Sequence, residues 1–397
     1  FSAITTAGMF LGALVGGIIG DKTGRRNAFI LYEAIHIASM VVGAFSPNMD
    51  FLIACRFVMG VGLGALLVTL FAGFTEYMPG RNRGTWSSRV SFIGNWSYPL
   101  CSLIAMGLTP LISAEWNWRV QLLIPAILSL IATALAWRYF PESPRWLESR
   151  GRYQEAEKVM RSIEEGVIRQ TGKPLPPVVI ADDGKAPQAV PYSALLTGVL
   201  LKRVILGSCV LIAMNVVQYT LINWLPTIFM TQGINLKDSI VLNTMSMFGA
   251  PFGIFIAMLV MDKIPRKTMG VGLLILIAVL GYIYSLQTSM LLITLIGFFL
   301  ITFVYMYVCY ASAVYVPEIW PTEAKLRGSG LANAVGRISG IAAPYAVAVL
   351  LSSYGVTGVF ILLGAVSIIV AIAIATIGIE TKGVSVESLS IDAVVNK

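Results

Sequence analysis

Apolar residues run through this chain in blocks of helix length, broken by short polar or glycine-rich stretches. A hydrocarbon core of about 30 Å needs about 20 apolar residues per helix. On that measure eleven segments qualify, roughly 1–20, 27–46, 51–77, 88–112, 118–140, 203–230, 239–261, 269–287, 290–317, 328–352 and 355–379. The pattern predicts an all-α membrane protein with eleven spans present. One long polar stretch, 141–202, interrupts it. Within that stretch Arg152–Gly166 sets Ala156, Val159, Met160 and Ile163 on one helical face with charges elsewhere. Lys173–Ala189 is rich in Pro, Asp and Gly and reads as a flexible linker.

Composition agrees: 57% of residues are hydrophobic and 12% charged, where a soluble domain carries about 25% charged. Most soluble enzymes and disordered chains are excluded. The single histidine, His36, rules out His-based triads and multi-His metal sites. Cys55, Cys101, Cys209 and Cys309 stand singly in apolar stretches without a CxxC pair, so neither a disulfide framework nor a metal or cofactor site is expected. The formal charge of +8 is a topology signal and not a nucleic-acid signal. All of the 28 Lys and Arg residues except Arg56, Arg119, Lys237 and Arg337 fall in six segments on one side of the predicted spans. The positive-inside rule makes that side cytoplasmic, as in a multi-pass protein of a bacterial inner membrane. The expected organisation is an N-terminal helix bundle over 1–140, a cytoplasmic linker with an amphipathic helix over 141–202, a C-terminal bundle over 203–383 and a tail over 384–397.

Markers on the basic side recur at one spacing. Asp21-Lys22 returns as Asp262-Lys263, 241 residues on. Glu76-Tyr-Met-Pro79 returns as Glu318-Ile-Trp-Pro321, with Arg83-Gly84 and Arg327-Gly328 following. Glu142 in Pro-Glu-Ser-Pro-Arg returns as Glu380 in Glu-Thr-Lys-Gly. Two similar halves are implied, as in many transporters. Shifting the span 203–230 back by the same spacing puts its partner before Phe1. The expectation is therefore a twelve-span protein whose first helix is absent from this chain.

These residues resemble the major facilitator superfamily. Gly17-x-x-x-Asp21-Lys22-x-Gly24-Arg25-Arg26 matches its loop between the second and third helices. Arg56-x-x-x-Gly60-x-Gly62-x-Gly64, Pro141-Glu-Ser-Pro-Arg-Trp-Leu147, Glu318-x-x-Pro321-Thr322 and Glu380-Thr-Lys-Gly383 look like the branch of sugar porters and organic-ion transporters. Trp224-Leu-Pro-Thr227 and Gly336-Arg337-Ile-x-x-Ile-x-x-Pro344 are similar to bacterial metabolite–proton symporters of the nicotinate and aromatic-acid type. The sequence departs from the pattern at Pro265, where Gly is usual, and at Ile379, where Pro is usual. The resemblance implies two six-helix halves and an inner gate of salt bridges. Its natural members are Asp21, Arg25, Glu76, Arg83, Glu142, Arg145, Glu318, Arg327 and Glu380, with simple topology anchoring as the other reading.

A charge within the membrane costs several kcal/mol, so each one is a functional candidate. Arg337 lies ten residues past Arg327, about 15 Å along a helix, near the midplane. Its guanidinium suits a carboxylate, and the resemblance implies an arginine used toward anionic substrates; helix packing is the competing role. Arg56 matches the arginine that couples protonation to transport in sugar–proton symporters. Glu33 and His36 share a helix face and could relay protons or form a packing pair; Arg89 and Arg119 snorkel near helix ends. Asn215, Gln218, Tyr219, Asn223 and Trp224 on one span, Asn95, Trp96 and Tyr98 on another, and Tyr305, Tyr307 and Tyr310 on a third suggest a pocket. Beside an arginine, such aromatics suit a flat anionic ring. Of these the substrate-binding set is Arg337, Tyr219, Trp224, Asn215, Asn95, Trp96 and Tyr305, and the coupling set Arg56, Glu33 and His36.

The expected activity is secondary transport, proton-coupled uptake of a small organic acid by a monomer in a lipid bilayer. Sugar or polyol symport, organic-cation transport and efflux are the alternatives. An intramembrane enzyme is disfavoured, since no HExxH, no usable GxSxG and no acidic metal cluster occurs. No GxxxxGK[ST] loop for ATP is present either.

Overall fold

The structure, a computed structural model, describes residues 2–77, 83–172, 174–175, 192–261, 263–320 and 324–382. Pro79, Asp262, Pro321, Thr322, Gly383 and the expected tail lie outside them, as do the side chains of Asp21, Glu76, Arg83 and Arg145. Every regular element among the described residues is helical. Eight helices there are long and apolar enough to cross a membrane, and Ala3–Gly16 is a shorter apolar helix.

Two compact units are formed. The first holds α1 (Ser2–Thr23), α2 (Arg25–Ala44), α3 (Met49–Tyr77), α6 (Ala114–Tyr139), α7 (Pro144–Ser149) and α8 (Tyr153–Thr171). The second holds α4 (Arg83–Asn95) from its second residue, α5 (Ser97–Leu108), α9 (Tyr192–Leu195), α10 (Gly198–Thr231), α11 (Leu236–Met247), α12 (Gly249–Val260), α13 (Arg266–Ser285) and α14 (Met290–Cys309). A π-turn over Tyr310–Tyr315, α15 (Val316–Glu318) and α16 (Lys325–Ile377) complete it. At 1.5 Å per residue α16 would reach about 80 Å, more than twice a bilayer core. Gly355, at φ 64° and ψ −161°, breaks it into two helical stretches.

The repeat read along the chain recurs in how helices meet. In the first unit a Cβ at Gly8 or Gly12 would collide with the carbonyl of Phe57 or Val61 on α3. In the second, Gly249 and Gly253 stand in the same relation to the carbonyls of Phe298 and Thr302 on α14. All four pairs of positions differ by 241 (249 − 8, 253 − 12, 298 − 57, 302 − 61). Lipid supplies no hydrophobic drive between helices, so close backbone approach through small residues is what gains van der Waals contact. The glycines put the same helix crossing into both units.

The amphipathic helix is α8. Its Ala156 and Val159 pack on Trp146 and Leu147 of α7. The Pro-Glu-Ser-Pro sequence starts α7: Ser143 Oγ caps the helix by accepting from Trp146 N at 3.3 Å, and Pro144 takes the first helical position, where no donor is lost.

Candidate functional site

On the side of the expected inner gate, the two recurring glutamates do one job in two places. The Glu142 Oε1 accepts from Arg25 N at 2.7 Å and Arg26 N at 3.3 Å, the first amides of α2. Glu380 accepts from Arg266 N at 2.8 Å and Lys267 N at 3.1 Å, the first amides of α13, and from Lys382 N at 3.1 Å. A carboxylate here satisfies orphan donors and sits on the positive end of the helix dipole. Gly24 precedes α2 at φ 95°, and a Cβ there would overlap the Glu142 carboxylate. Its counterpart, Pro265, caps α13 at φ −57° and ψ 140°, a conformation natural to proline, so the departure from glycine is accommodated by a different approach of the chain.

The second unit adds a buried arginine. Arg266 Nε donates to Glu318 Oε2 at 3.0 Å and its Nη2 to Oε1 at 3.2 Å, while Nη1 donates to the Met261 carbonyl. Thr381 Oγ1 donates to Glu318 at 2.6 Å, and Lys382 Nζ to the Lys263 carbonyl at 2.7 Å. Tyr315 of the π-turn accepts from Ile379 N at 3.0 Å. Burial would raise the Glu380 carboxyl, but three backbone donors and Arg266 outweigh it and hold it below the usual carboxylate range. Arg266 was visible in the sequence only as part of a basic run; its offset of 241 from Arg25 was the signal that could have picked it out. Arg327 lies half-buried at the start of α16.

Of the substrate-binding candidates, four converge in the second unit. Gly336 brings α16 against α10 so closely that a Cβ would lie 2.8 Å from Leu211 Cβ and 3.0 Å from Asn215 Nδ2. This sets the next residue, Arg337, beside the polar part of α10, within electrostatic reach of Tyr219. Asn215 donates to the Leu211 carbonyl at 2.7 Å. Tyr98 of α5 packs edge-on to Tyr305 of α14, with ring centres 5.1 Å apart. The Tyr305 hydroxyl is sealed from solvent and completes no hydrogen bond of good geometry, although Tyr98 and Gln218 lie close enough to interact with it. Among the described residues no carboxylate lies within ion-pair distance of Arg337.

The remaining candidates point elsewhere. Asn95 donates to the Ser91 carbonyl of its own helix at 2.7 Å. Trp96, at the break between α4 and α5, joins Phe92, Phe248 and Phe255 along an apolar groove and is 41% exposed. Trp224 packs against the apolar core. Tyr307 donates to the Val210 carbonyl at 3.1 Å and Tyr310 stacks on Tyr315, which makes both structural.

The first unit contains a cavity of about 780 Å³, lined by His36 of α2, Arg56 of α3, Trp118, Arg119 and Gln121 of α6, and the Ser46–Met49 turn. Glu33 is buried behind His36, with its Oε2 3.7 Å from His36 Nδ1. His36 and Arg56 therefore line one cavity, with Glu33 beside His36.

Comparison with known proteins agrees with this architecture. The chain matches the sugar (and other) transporter family over residues 1–393. It is 44% identical over 392 residues to the inner membrane metabolite transport protein YdjE of Escherichia coli, covering 98% of this chain and 86% of that protein. It is 26% identical over 385 residues to the niacin transporter NiaP of Acinetobacter baylyi, covering 97% and 85%. Among solved structures, the xylose transporter XylE of E. coli in a partially occluded inward-open conformation superposes with a TM-score of 0.76 at 18% identity, over 96% of this chain and 87% of that one. All-helical, multi-pass and built on the major facilitator fold, the chain belongs to the sugar (and other) transporter family.

Proposed function

We propose that this transporter imports a small organic acid, of the aromatic carboxylate type, together with protons. The observation that carries the reading is Arg337: a guanidinium within an apolar span, free of any carboxylate partner among the described residues and within electrostatic reach of Tyr219. A cation within an apolar span is costly unless something answers it, and a substrate carboxylate answers it with two parallel hydrogen bonds. Tyr98 and Tyr219, both partly exposed, offer ring faces and hydroxyls to a flat acid, with the buried Tyr305 packed behind Tyr98. Likeness to a niacin transporter, whose substrate is a pyridine carboxylic acid, supports the same class. Sugar or polyol transport is the second reading, favoured by the Asn215 and Gln218 amides on α10, which suit hydroxyl groups.

The basic loops face the cytoplasm of a bacterial inner membrane, and the working unit is a monomer. Transport proceeds by alternating access, and the repeat asks for a first-half counterpart of α10, bringing the spans to twelve. Arg25, Glu142, Arg266, Glu318, Arg327 and Glu380, with Asp21, Glu76, Arg83 and Arg145, tie the cytoplasmic helix ends in one state and release them in the other. Arg56 takes part in proton coupling.

Counterflow in proteoliposomes tests this, with labelled nicotinate, benzoate, a hexose and a quaternary ammonium ion offered in parallel. The acids should exchange. Arg337→Ala should lower their exchange tenfold or more, in line with about 1.5–3 kcal/mol for a hydrogen bond to a charged group. Arg337→Lys keeps the charge but loses the two-pronged geometry and should recover only part. Acid exchange untouched by Arg337→Ala would remove that residue from the site, and uptake indifferent to a pH gradient would remove proton coupling.

A further inference from the structure

We propose that Glu33 and His36 form a proton-binding site that opens on the 780 Å³ cavity of the first unit. Its use in transport rests on the proton-coupled reading above; its existence does not.

Three observations lead to it. Glu33 is buried and His36 partly so in an apolar helix, and the two facing atoms, Glu33 Oε2 and His36 Nδ1, are sealed from solvent, yet neither makes a hydrogen bond. At 3.7 Å the two atoms stand just beyond hydrogen-bonding distance, which is not the geometry of a settled structural salt bridge. Such atoms cost free energy unless another state satisfies them. The second observation comes from the repeat. Advancing by 241 (33 + 241, 36 + 241, 56 + 241) leads to Leu274, Ile277 and Gly297, and the first two are fully buried in apolar packing. Since the second unit builds the same helix with hydrocarbon at these places, the fold does not require a carboxylate and an imidazole here. The third is access: His36 lines a cavity that reaches the Ser46–Met49 turn, which on the proposed orientation faces outward.

The chemistry is a simple proton exchange. A hydronium ion in the cavity gives its proton to His36 Nε2, leaving water, while an Nδ1–H turned toward the Glu33 carboxylate stabilises the imidazolium. Release reverses the step, returning the proton to water and breaking only the Nε2–H bond. Imidazole is the side chain whose ordinary charge change falls closest to neutral pH. The surroundings keep the pair from holding its proton permanently. Arg56 from α3 and Arg119 from α6 line the same cavity and oppose a third positive charge, while Glu33 favours it. On the same helix, Tyr32 is occupied by a hydrogen bond to the Gly16 carbonyl at 2.9 Å. From α1 the charged residues Asp21 and Lys22 come only in the last turn.

His36 is the one histidine of the chain, so its imidazole can be watched without assignment. The experiment uses the full chain, purified without a histidine tag, labelled with 15N-histidine in lipid nanodiscs and titrated from pH 4.5 to 9 with protons as the only ligand. The wild-type imidazole signals should change across the titration, and Glu33→Gln, which removes the neighbouring charge, should displace that change along the pH axis. A silent wild-type imidazole across that range overturns the proposal whether or not the variant folds. So does a titration that Glu33→Gln leaves in place. Neither outcome depends on transport, so a failed site and a failed coupling mechanism are told apart.

Discussion

At the scale of single residues, Gly24 combines two constraints that other described glycines such as Gly151 and Gly8 show only singly. Its φ of 95° is strained for any side chain, and the volume a Cβ would fill is held by the Glu142 carboxylate. Gly24→Ala should therefore destabilise by about 1–3 kcal/mol for the backbone, plus the loss of the cap on α2, worth about 1 kcal/mol. Gly151, at φ 72° with open space around it, isolates the first part. Thermal unfolding in detergent should show Gly24→Ala falling well below Gly151→Ala; equal midpoints would mean that the carboxylate yields without cost. Sequence reading reached Gly24, Arg25 and Glu142 as a set, because the motif spacing carries them. The motif suggests arginine side chains as partners for the glutamate, and the structure adds the backbone amides of Arg25, Arg26 and Ser143 as donors to its Oε1. Residue type announces a charge and its end of a helix, but not which donors reach it.

Among elements, the starts of α2 and α13 are the pair to compare. Each begins just after a basic-side loop and is capped by a glutamate more than a hundred residues away. Because Glu380 is held below the usual carboxylate range, its contribution to stability is present at neutral pH. It is lost as the pH falls through and below about 4, where the carboxylate gains a proton. Glu380→Gln should lower the unfolding temperature at pH 7 and remove that component of the acid sensitivity; a variant that unfolds on acidification in parallel with the wild type would contradict the cap. Helix rotation is where the sequence says least. Asn95 and Trp96 sit on a span expected to line the pocket, yet Asn95 bonds within its own helix and Trp96 faces an apolar groove, while Tyr98 two residues on meets Tyr305. Hydropathy locates a span whose every face is apolar, but it has no period from which to read the inward side. Only packing decides that.

For the whole molecule the repeat was legible because it is carried by loop motifs, and its structural counterpart lies in the glycine crossings, which composition alone conceals among 37 glycines. Where the halves agree, the residues serve the scaffold: Gly8 with Gly249, Phe57 with Phe298, Glu142 with Glu380. Where they disagree, the scaffold's demands can be subtracted. Leu274 and Ile277 fill the places of Glu33 and His36, so the double change Glu33→Leu and His36→Ile copies a packing that the other half already uses. Replacing a buried carboxylate and a partly buried imidazole whose facing atoms lack hydrogen bonds with hydrocarbon of similar volume is often neutral or stabilising. The double variant should accordingly unfold at or above the wild-type temperature. Its uptake should lose the dependence on outside pH that protonation of the pair confers. A large drop in unfolding temperature would show that the pair holds the first unit together, and an unaltered pH profile in a stable variant would show that the protons enter by another route.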